Sequence, residues 1–255
     1  MASTLCQEVQ AQLMRQDEQA DMKDDRSLVT LADYAAQAII CWRIQQEWSD
    51  FTMVGEEDAE ALTEGGEGGA LTLQKIVKLV NKTLKLHKGL GAPELSSSEV
   101  VDLINKGGGA GGKGRHWVLD PVDGTLGFVR GDQYAIALAM MEDGDLKVGV
   151  MGCPNLSADQ GHPLNVNDPE GVVYAASEGA GAWEFAACNP DASPMRILAS
   201  SYIEDKPLRF CESAEKGHSN RGDSGRIIDS IGEEGEPARL DSQCKYALVA
   251  RGQAD

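Results

Sequence analysis

Helical and strand-like patterns occur in both halves of this 255-residue chain and predict a layered α/β-type fold in two units that join near residue 155. Three observations carry that expectation. Ala35, Ala38, Ile39 and Trp42 recur at i, i+3, i+4 and i+7, and Leu73, Ile76, Val77, Val80 and Leu84 repeat the same amphipathic spacing. Tyr134–Met141 and Leu146–Met151 read as strands joined by a hairpin whose Asp143-Gly144 dipeptide favours a tight turn. After a polar stretch at 155–169, strand patterns return at Val172–Ala176, Ala182–Phe185, Ile197–Ala199 and Leu208–Cys211.

The remaining elements follow from local chemistry. Residues 3–18 suit a polar helix, and charged Asp21–Ser27 a loop before the first amphipathic helix. Phe51–Gly55 reads as a short strand running into Glu56-Glu57-Asp58, and Glu64–Gly69 as a loop of glycines and acids. Ser97 or Ser98 is placed to cap a short helix ending near Ile104. A strand is expected at His116–Leu119 and a short helix near 225–231.

Composition narrows the function. There are 41 acidic against 23 basic residues, a formal net charge of −18. That balance disfavours a nucleic-acid backbone as partner. It would also repel a phosphorylated small molecule unless bound cations reverse the local field. No apolar run is long enough to span a bilayer, so no membrane partner is expected. The six cysteines show no close pairs and no zinc spacing and read as small buried hydrophobes in a reducing compartment. The first residues carry no apolar signal core and are rich in acids, so a cytoplasmic location is expected, or a chloroplast or mitochondrial one if a targeting segment precedes them.

One stretch holds two competing motifs. Gly107–Lys113 nearly spells a phosphate-cradling loop, but Gly114 stands where a Ser or Thr is required, and a strand follows where a helix should open. The glycine run therefore reads as a flexible approach to the strand. Asp120-Pro121-Val122-Asp123-Gly124-Thr125 is different. Two carboxylates three residues apart in a sharp turn, with the Val122 carbonyl between them, make an all-oxygen set of the kind Mg²⁺ takes. A helix opening at Thr125 would aim free backbone N–H groups at the same place. Read alone, the weaker alternative for the stretch is an Asp-rich turn with one acid capping a helix. Glu56-Glu57-Asp58 brings a further carboxylate to a strand end or is a solvated acidic loop. Asp33 stands three residues after Thr30, as in a capping box.

VTLADYAAQAII, VGEED, HWVLDPVDGTLGFVRGDQYAIAL, GVMGCPN and RLDSQCKYALVARG, taken in order, resemble the 3′(2′),5′-bisphosphate nucleotidases. These are Mg²⁺-dependent, lithium-sensitive phosphatases of the inositol monophosphatase superfamily. The resemblance spans nearly the whole chain. It implies an αβαβα layered sandwich of the sugar-phosphatase type, with a metal-bearing N-terminal domain at 1–155 and a partial nucleotide-contacting domain at 156–255. It implies metal ligation by Glu56, Asp120, the Val122 carbonyl and Asp123. Asp33 and Thr125 are implied to position and activate the attacking water. Substrate contacts are implied for Gly124, Thr125, His218, Ser242 and Lys245.

The implied reaction is hydrolysis of the 3′-phosphate of adenosine 3′,5′-bisphosphate to AMP and phosphate, linked to sulfate assimilation. 3′-Phosphoadenylyl sulfate is a second substrate in the same reading, and an inositol (poly)phosphate the alternative. The expected partner is thus a small phosphorylated nucleotide, and the expected assembly a monomer or weak homo-oligomer. The family pattern also carries a Trp-Asp-His motif beyond the equivalent of Asp255, whose aspartate is a further metal ligand, whereas the last tryptophan here is Trp183. The distal unit is accordingly expected to be incomplete. A truncated, catalytically weak form that binds metal and nucleotide is the expectation that competes with an active phosphatase.

Overall fold

The computed structural model describes residues 1–17, 25–159, 170–189, 191–201, 208–214, 222, 225–226, 230 and 237–255. Two long helices open the chain, α1 (Ala2–Asp17) and α2 (Asp25–Glu47). They are followed by β1 (Met53–Val54), α3 (Glu60–Glu64), α4 (Gly66–Leu86) and α5 (Ser97–Asn105). Then come β2 (Arg115–Asp123), the six-residue α6 (Thr125–Arg130), β3 (Ala135–Glu142) and β4 (Asp145–Cys153). The remaining elements are β5 (Val172–Ser177), β6 (Gly181–Ala186), β7 (Met195–Ile197), β8 (Cys211–Ser213), β9 (Ala238–Leu240) and α7 (Cys244–Ala250).

Strands β1 to β7 form one sheet in sequence order. Only β1–β2 is parallel; every later pair is antiparallel. Sequential order needs only short connections, and the β3–β4 turn is the tight one foreseen, with Asp143 and Gly144 both at positive φ. The sheet passes unbroken across residue 155, because β4 pairs with β5 from Val148↔Ser177 to Cys153↔Val172. Parallel β8 and β9 make a separate two-stranded ribbon beside α7.

Two apolar clusters fill the interior. The larger joins α1, α2, α4 and α5 to Trp117, Leu119 and Ile136 of the sheet. The smaller joins Cys153, Leu156, Val172, Tyr174 and Ile197 to Leu240, Cys244 and Leu248. Ala35, Ala38, Ile39 and Trp42 are all buried, as their spacing requires. Cys6, Cys41, Cys153 and Cys244 are buried; Cys188 is exposed and Cys211 lies between. Among the described residues no helix is long and apolar enough to cross a membrane.

Several local readings change. Helix α2 begins at Asp25, so the loop expected at 21–27 does not extend through its last three residues. Asp33 then lies well inside the helix, and Thr30 and Asp33 do not form an N-terminal capping box. Glu64–Gly69 is not a loop. It is the crossing of α3 and α4, where a Cβ on Gly69 would stand 2.6 Å from the Ala61 carbonyl oxygen. The glycines there permit close helix packing. The cap of α5 is Ser96, one residue earlier than expected, in a reciprocal capping box with Glu99. Strands β7 and β8 are displaced by two or three residues from Ile197–Ala199 and Leu208–Cys211. The helix expected at 225–231 and the polar stretch at 155–169 lie largely or partly outside the described residues.

Candidate active site

The site forms where α2, the loop after β1 and the end of β2 meet. Strand β2 runs on through the Asp120–Asp123 motif instead of turning at Asp120. Its register against β3 slips between Asp120↔Ala137 and Asp123↔Ala135. Such a bulge leaves Pro121 and Val122 out of the ladder and re-aims the flanking side chains. Gly124, at φ 92°, then turns the chain into α6. A Cβ at Gly124 would stand 2.6 Å from the Ser242 Cβ, so the residue must be glycine on two counts, backbone conformation and space.

The carboxylates converge electrostatically. Asp33, 9% exposed, has its pKa pushed up to about 8 by burial and then by Glu57, Glu56 and Asp120. Asp120 is pushed up to about 7 by burial, then by Glu56 and Asp123, and it lies within hydrogen-bonding reach of Glu56. Burial and the Glu56 charge also raise Glu57, while Tyr34 nearby lowers it. Two carboxyl groups so close share a proton unless a cation compensates both charges.

The donor set fits a hard divalent cation. Asp120 Oδ1 is buried with no hydrogen-bond partner, an acceptor costly to leave unmet. Among the described residues, no three acidic, His or Cys side chains are yet gathered in a finished ligand shell. Asp123 in particular is turned away, its Oδ2 accepting from the backbone N–H of Gln243 at 2.6 Å.

The second wall comes from the C-terminal part of the chain. A cavity of about 600 Å³ is bounded by Asp123, Gly124 and Thr125 on one side and Ser213, Ser242 and Lys245 on the other. Its size is that of a small-molecule site. Ser242 adopts φ 61°, and its Oγ accepts from Cys244 N–H at 3.3 Å. Lys245 donates from Nζ to the Ser242 carbonyl at 2.6 Å. The two walls are tied by Arg130, which donates to buried Asp241 at 2.7 Å, and by the Cys244 thiol, which donates to the Tyr134 carbonyl at 3.2 Å.

Of the residues singled out from sequence, Asp33, Glu56 and Asp120 are electrostatic neighbours, while Asp123, Gly124, Thr125, Ser242 and Lys245 line the cavity. Val122 is 2% exposed and sits within the bulge. His218 lies outside the described residues. Sequence reasoning missed Gln37, Asn105, Tyr34, Asp241 and Gln243. Gln37 did carry a signal: it is a polar residue one turn after Asp33 in a stretch of α2 that is otherwise mostly small and apolar. The glycine run was also misjudged. Gly109 donates to the Met53 carbonyl at 2.9 Å and Gly107 accepts from Gly55 at 2.8 Å, so this half of the run is docked against the site loop and is not free.

Comparison with known proteins agrees with this architecture. The Inositol monophosphatase family matches residues 1–255, and the chain belongs to that family. It is 39% identical over 259 residues to 3′(2′),5′-bisphosphate nucleotidase 1 of Arabidopsis thaliana, covering 99% of this chain and 72% of the relative. A 3′(2′),5′-bisphosphate nucleotidase of Oryza sativa is 40% identical over 99% of this chain and 70% of its own length. One from Schizosaccharomyces pombe is 36% identical over 100% and 72%. Among solved structures, Mycobacterium tuberculosis SuhB superposes with a TM-score of 0.54 at 15% identity, covering 100% of this chain and 70% of that one, a likeness of fold.

Proposed function

We propose that this chain is a phosphoric monoester hydrolase that removes the 3′-phosphate of adenosine 3′,5′-bisphosphate, yielding AMP and phosphate, with Mg²⁺ as its cation. The observation that carries the reading is the juxtaposition of an acidic cluster and a nucleotide-sized cavity across the Asp120–Thr125 turn. The relatives, 36–40% identical over essentially the whole chain and named as bisphosphate nucleotidases, supply the substrate class.

In this reading Glu56, Asp120, the Val122 carbonyl and Asp123 hold the cation. When bound it supplies positive charge for the phosphoryl oxygens and makes water a better nucleophile near neutral pH. Asp33 orients the attacking water with Thr125; its raised pKa comes from burial and neighbouring carboxylates, and a bound cation offsetting those charges lets it ionise and accept the water's proton. The backbone N–H groups of Gly124 and Thr125 meet the phosphate. Lys245 leaves the Ser242 carbonyl and meets the substrate as a point charge, Ser242 adds a hydroxyl, and His218 completes the nucleotide contacts. The acidic surface, at net charge −18, makes the cation a condition for binding an anionic substrate.

Phosphate release from adenosine 3′,5′-bisphosphate and from an inositol phosphate, each with Mg²⁺, with Mg²⁺ plus Li⁺, and with a chelator, tests the reading. Mg²⁺-dependent, Li⁺-inhibited release from the nucleotide is expected. Preference for the inositol phosphate overturns the substrate assignment. Absence of release from both by folded protein overturns the activity.

A further inference from the structure

Gln37 is the least expected residue in the first half of the chain. It is a carboxamide with 0% exposure on a stretch of helix buried all round, where Ala32, Ala35, Ala36 and Ala38 are also fully buried. Its three bonding groups are spent on other elements, and none on its own helix. Nε2 donates to the Glu57 carbonyl at 2.6 Å and to the Ile104 carbonyl at 2.8 Å. Oε1 accepts from the Glu57 N–H at 3.2 Å. Glu57 is thus gripped on both its main-chain groups by one side chain. Only a carboxamide offers two donors and an acceptor in that fork.

The surrounding chain is shaped to admit it. A Cβ on Gly55 would stand 2.5 Å from Gln37 Oε1, and one on Gly107 2.5 Å from Nε2. Gly55 and Gly107 are themselves hydrogen-bonded, N–H to carbonyl, at 2.8 Å. The far end of the same loop is held by Asn105, whose Oδ1 accepts from the Ala59 N–H at 2.9 Å. Glu56 sits between the clamped residues 55 and 57. Gln37 lies four residues after Asp33, on the same face of the same helix.

We propose that Gln37 is a positioning residue that sets the placement of the Glu56 carboxylate relative to Asp33, and so the cation affinity of the cluster. The proposal rests on the functional reading above for the identity of the cation and the reaction. Its content is geometric. One rigid helix carries Asp33 and, one turn later, the fork that holds the loop bearing Glu56. Outer partners of this kind hold ligands in register and typically change metal affinity by about 10–100-fold when lost.

A double-mutant cycle in the full chain tests it, with Gln37→Ala, Gly55→Ala and the pair. Two readouts are taken: Mn²⁺ binding to substrate-free protein by electron paramagnetic resonance, and the Mg²⁺ concentration for half-maximal phosphate release from adenosine 3′,5′-bisphosphate. Gly55→Ala keeps the amide but drives it off the loop. It is expected to weaken Mn²⁺ binding about ten-fold or more and to raise the Mg²⁺ requirement in parallel. KM for the nucleotide should be unchanged at saturating Mg²⁺, because the cavity residues lie on other elements. In the Gln37→Ala background the new methyl has room, and Gly55→Ala should add no further loss. Exchange of the Glu57 amide proton should quicken in both single variants.

Unchanged Mn²⁺ affinity in Gly55→Ala, or independent and additive losses in the pair, overturns the positioning role. So does a loss confined to thermal stability and active fraction. If Gln37→Ala does not fold, the Mn²⁺ affinity and Glu57 exchange of Gly55→Ala decide alone. A wild-type chain that turns over no nucleotide overturns the functional reading, and the Mn²⁺ titrations still judge Gln37. Normal wild-type turnover with unaltered variants overturns the Gln37 proposal alone.

Discussion

The two walls of the site are built by opposite means. The acidic wall draws Asp33, Glu56 and Asp120 from α2, the β1 loop and β2, with Asp123 turned toward Gln243, and burial and mutual repulsion push Asp33 and Asp120 toward neutrality. The opposing wall, from Asp241 to Lys245, meets most of its polar groups internally, although Ser242 is held at φ 61° and Asp241 Oδ1 is unpartnered. Lys245 and Ser242 satisfy one another or their own turn, and the segment is anchored by Arg130–Asp241 and by Gly124 against Ser242. Under the proposed function, the difference gives the walls different tasks. The first stores unmet charge for a cation and a proton; the second supplies neutral and positive contacts that can exchange onto a ligand at little cost.

Removing one acid from the first wall should have the largest effect. Asp33→Asn is expected to lower kcat by about 10²–10⁴-fold with little change in KM. Initial rates at saturating Mg²⁺ check this, and a KM-only effect would break the contrast between the walls. Lys245→Ala should do the reverse, raising KM about ten-fold, the worth of a charge-assisted hydrogen bond, with a smaller change in kcat.

The acidic wall also predicts a pH signature. Asp33 and Asp120 have native pKa values above the ordinary carboxylate range, so the native state holds protons that the unfolded chain releases. Their stabilising contribution is fully present below about pH 4, the unfolded carboxylate value. It is lost as pH rises through about 7 for Asp120 and about 8 for Asp33. Thermal melts in chelator should therefore show Tm falling over that window. Added Mg²⁺ should flatten the slope, and Asp33→Asn should shrink it without metal.

The smallest effect is expected at the seam. Asp241→Asn weakens a pair in which Arg130 is 43% exposed and Asp241 4%. A loss of about 1–2 kcal/mol in stability is expected, seen by chemical denaturation. Because this residue aligns the second wall, KM should move more than kcat.

Much of the local structure is readable from one dimension. The periods of α2 and α4, the Asp143-Gly144 hairpin and the helix opening at Thr125 all depend on residues close in sequence. Misreadings fall where spatial neighbours override local chemistry. Gly65 and Gly69 serve a helix crossing, and Gly107 and Gly109 serve a close approach to the Met53–Glu57 segment. Asp33 was read as beginning a helix because the charged residues before it look like a loop, whereas α2 starts eight residues earlier.

The sequence by itself determined the helical and strand periods, the acidic character, and the family pattern that singles out Asp33, Glu56, Asp120, Val122, Asp123 and Thr125. The periods are legible because spacing along a chain maps directly onto faces and turns, whereas the site residues follow only from the family resemblance. Only the tertiary structure decided that Gln37 grips Glu57 across 20 residues, that Gln243 takes Asp123 across 120, and that Arg130 reaches Asp241 across 111. Such contacts follow from which surfaces burial brings together, a property of the whole packed chain.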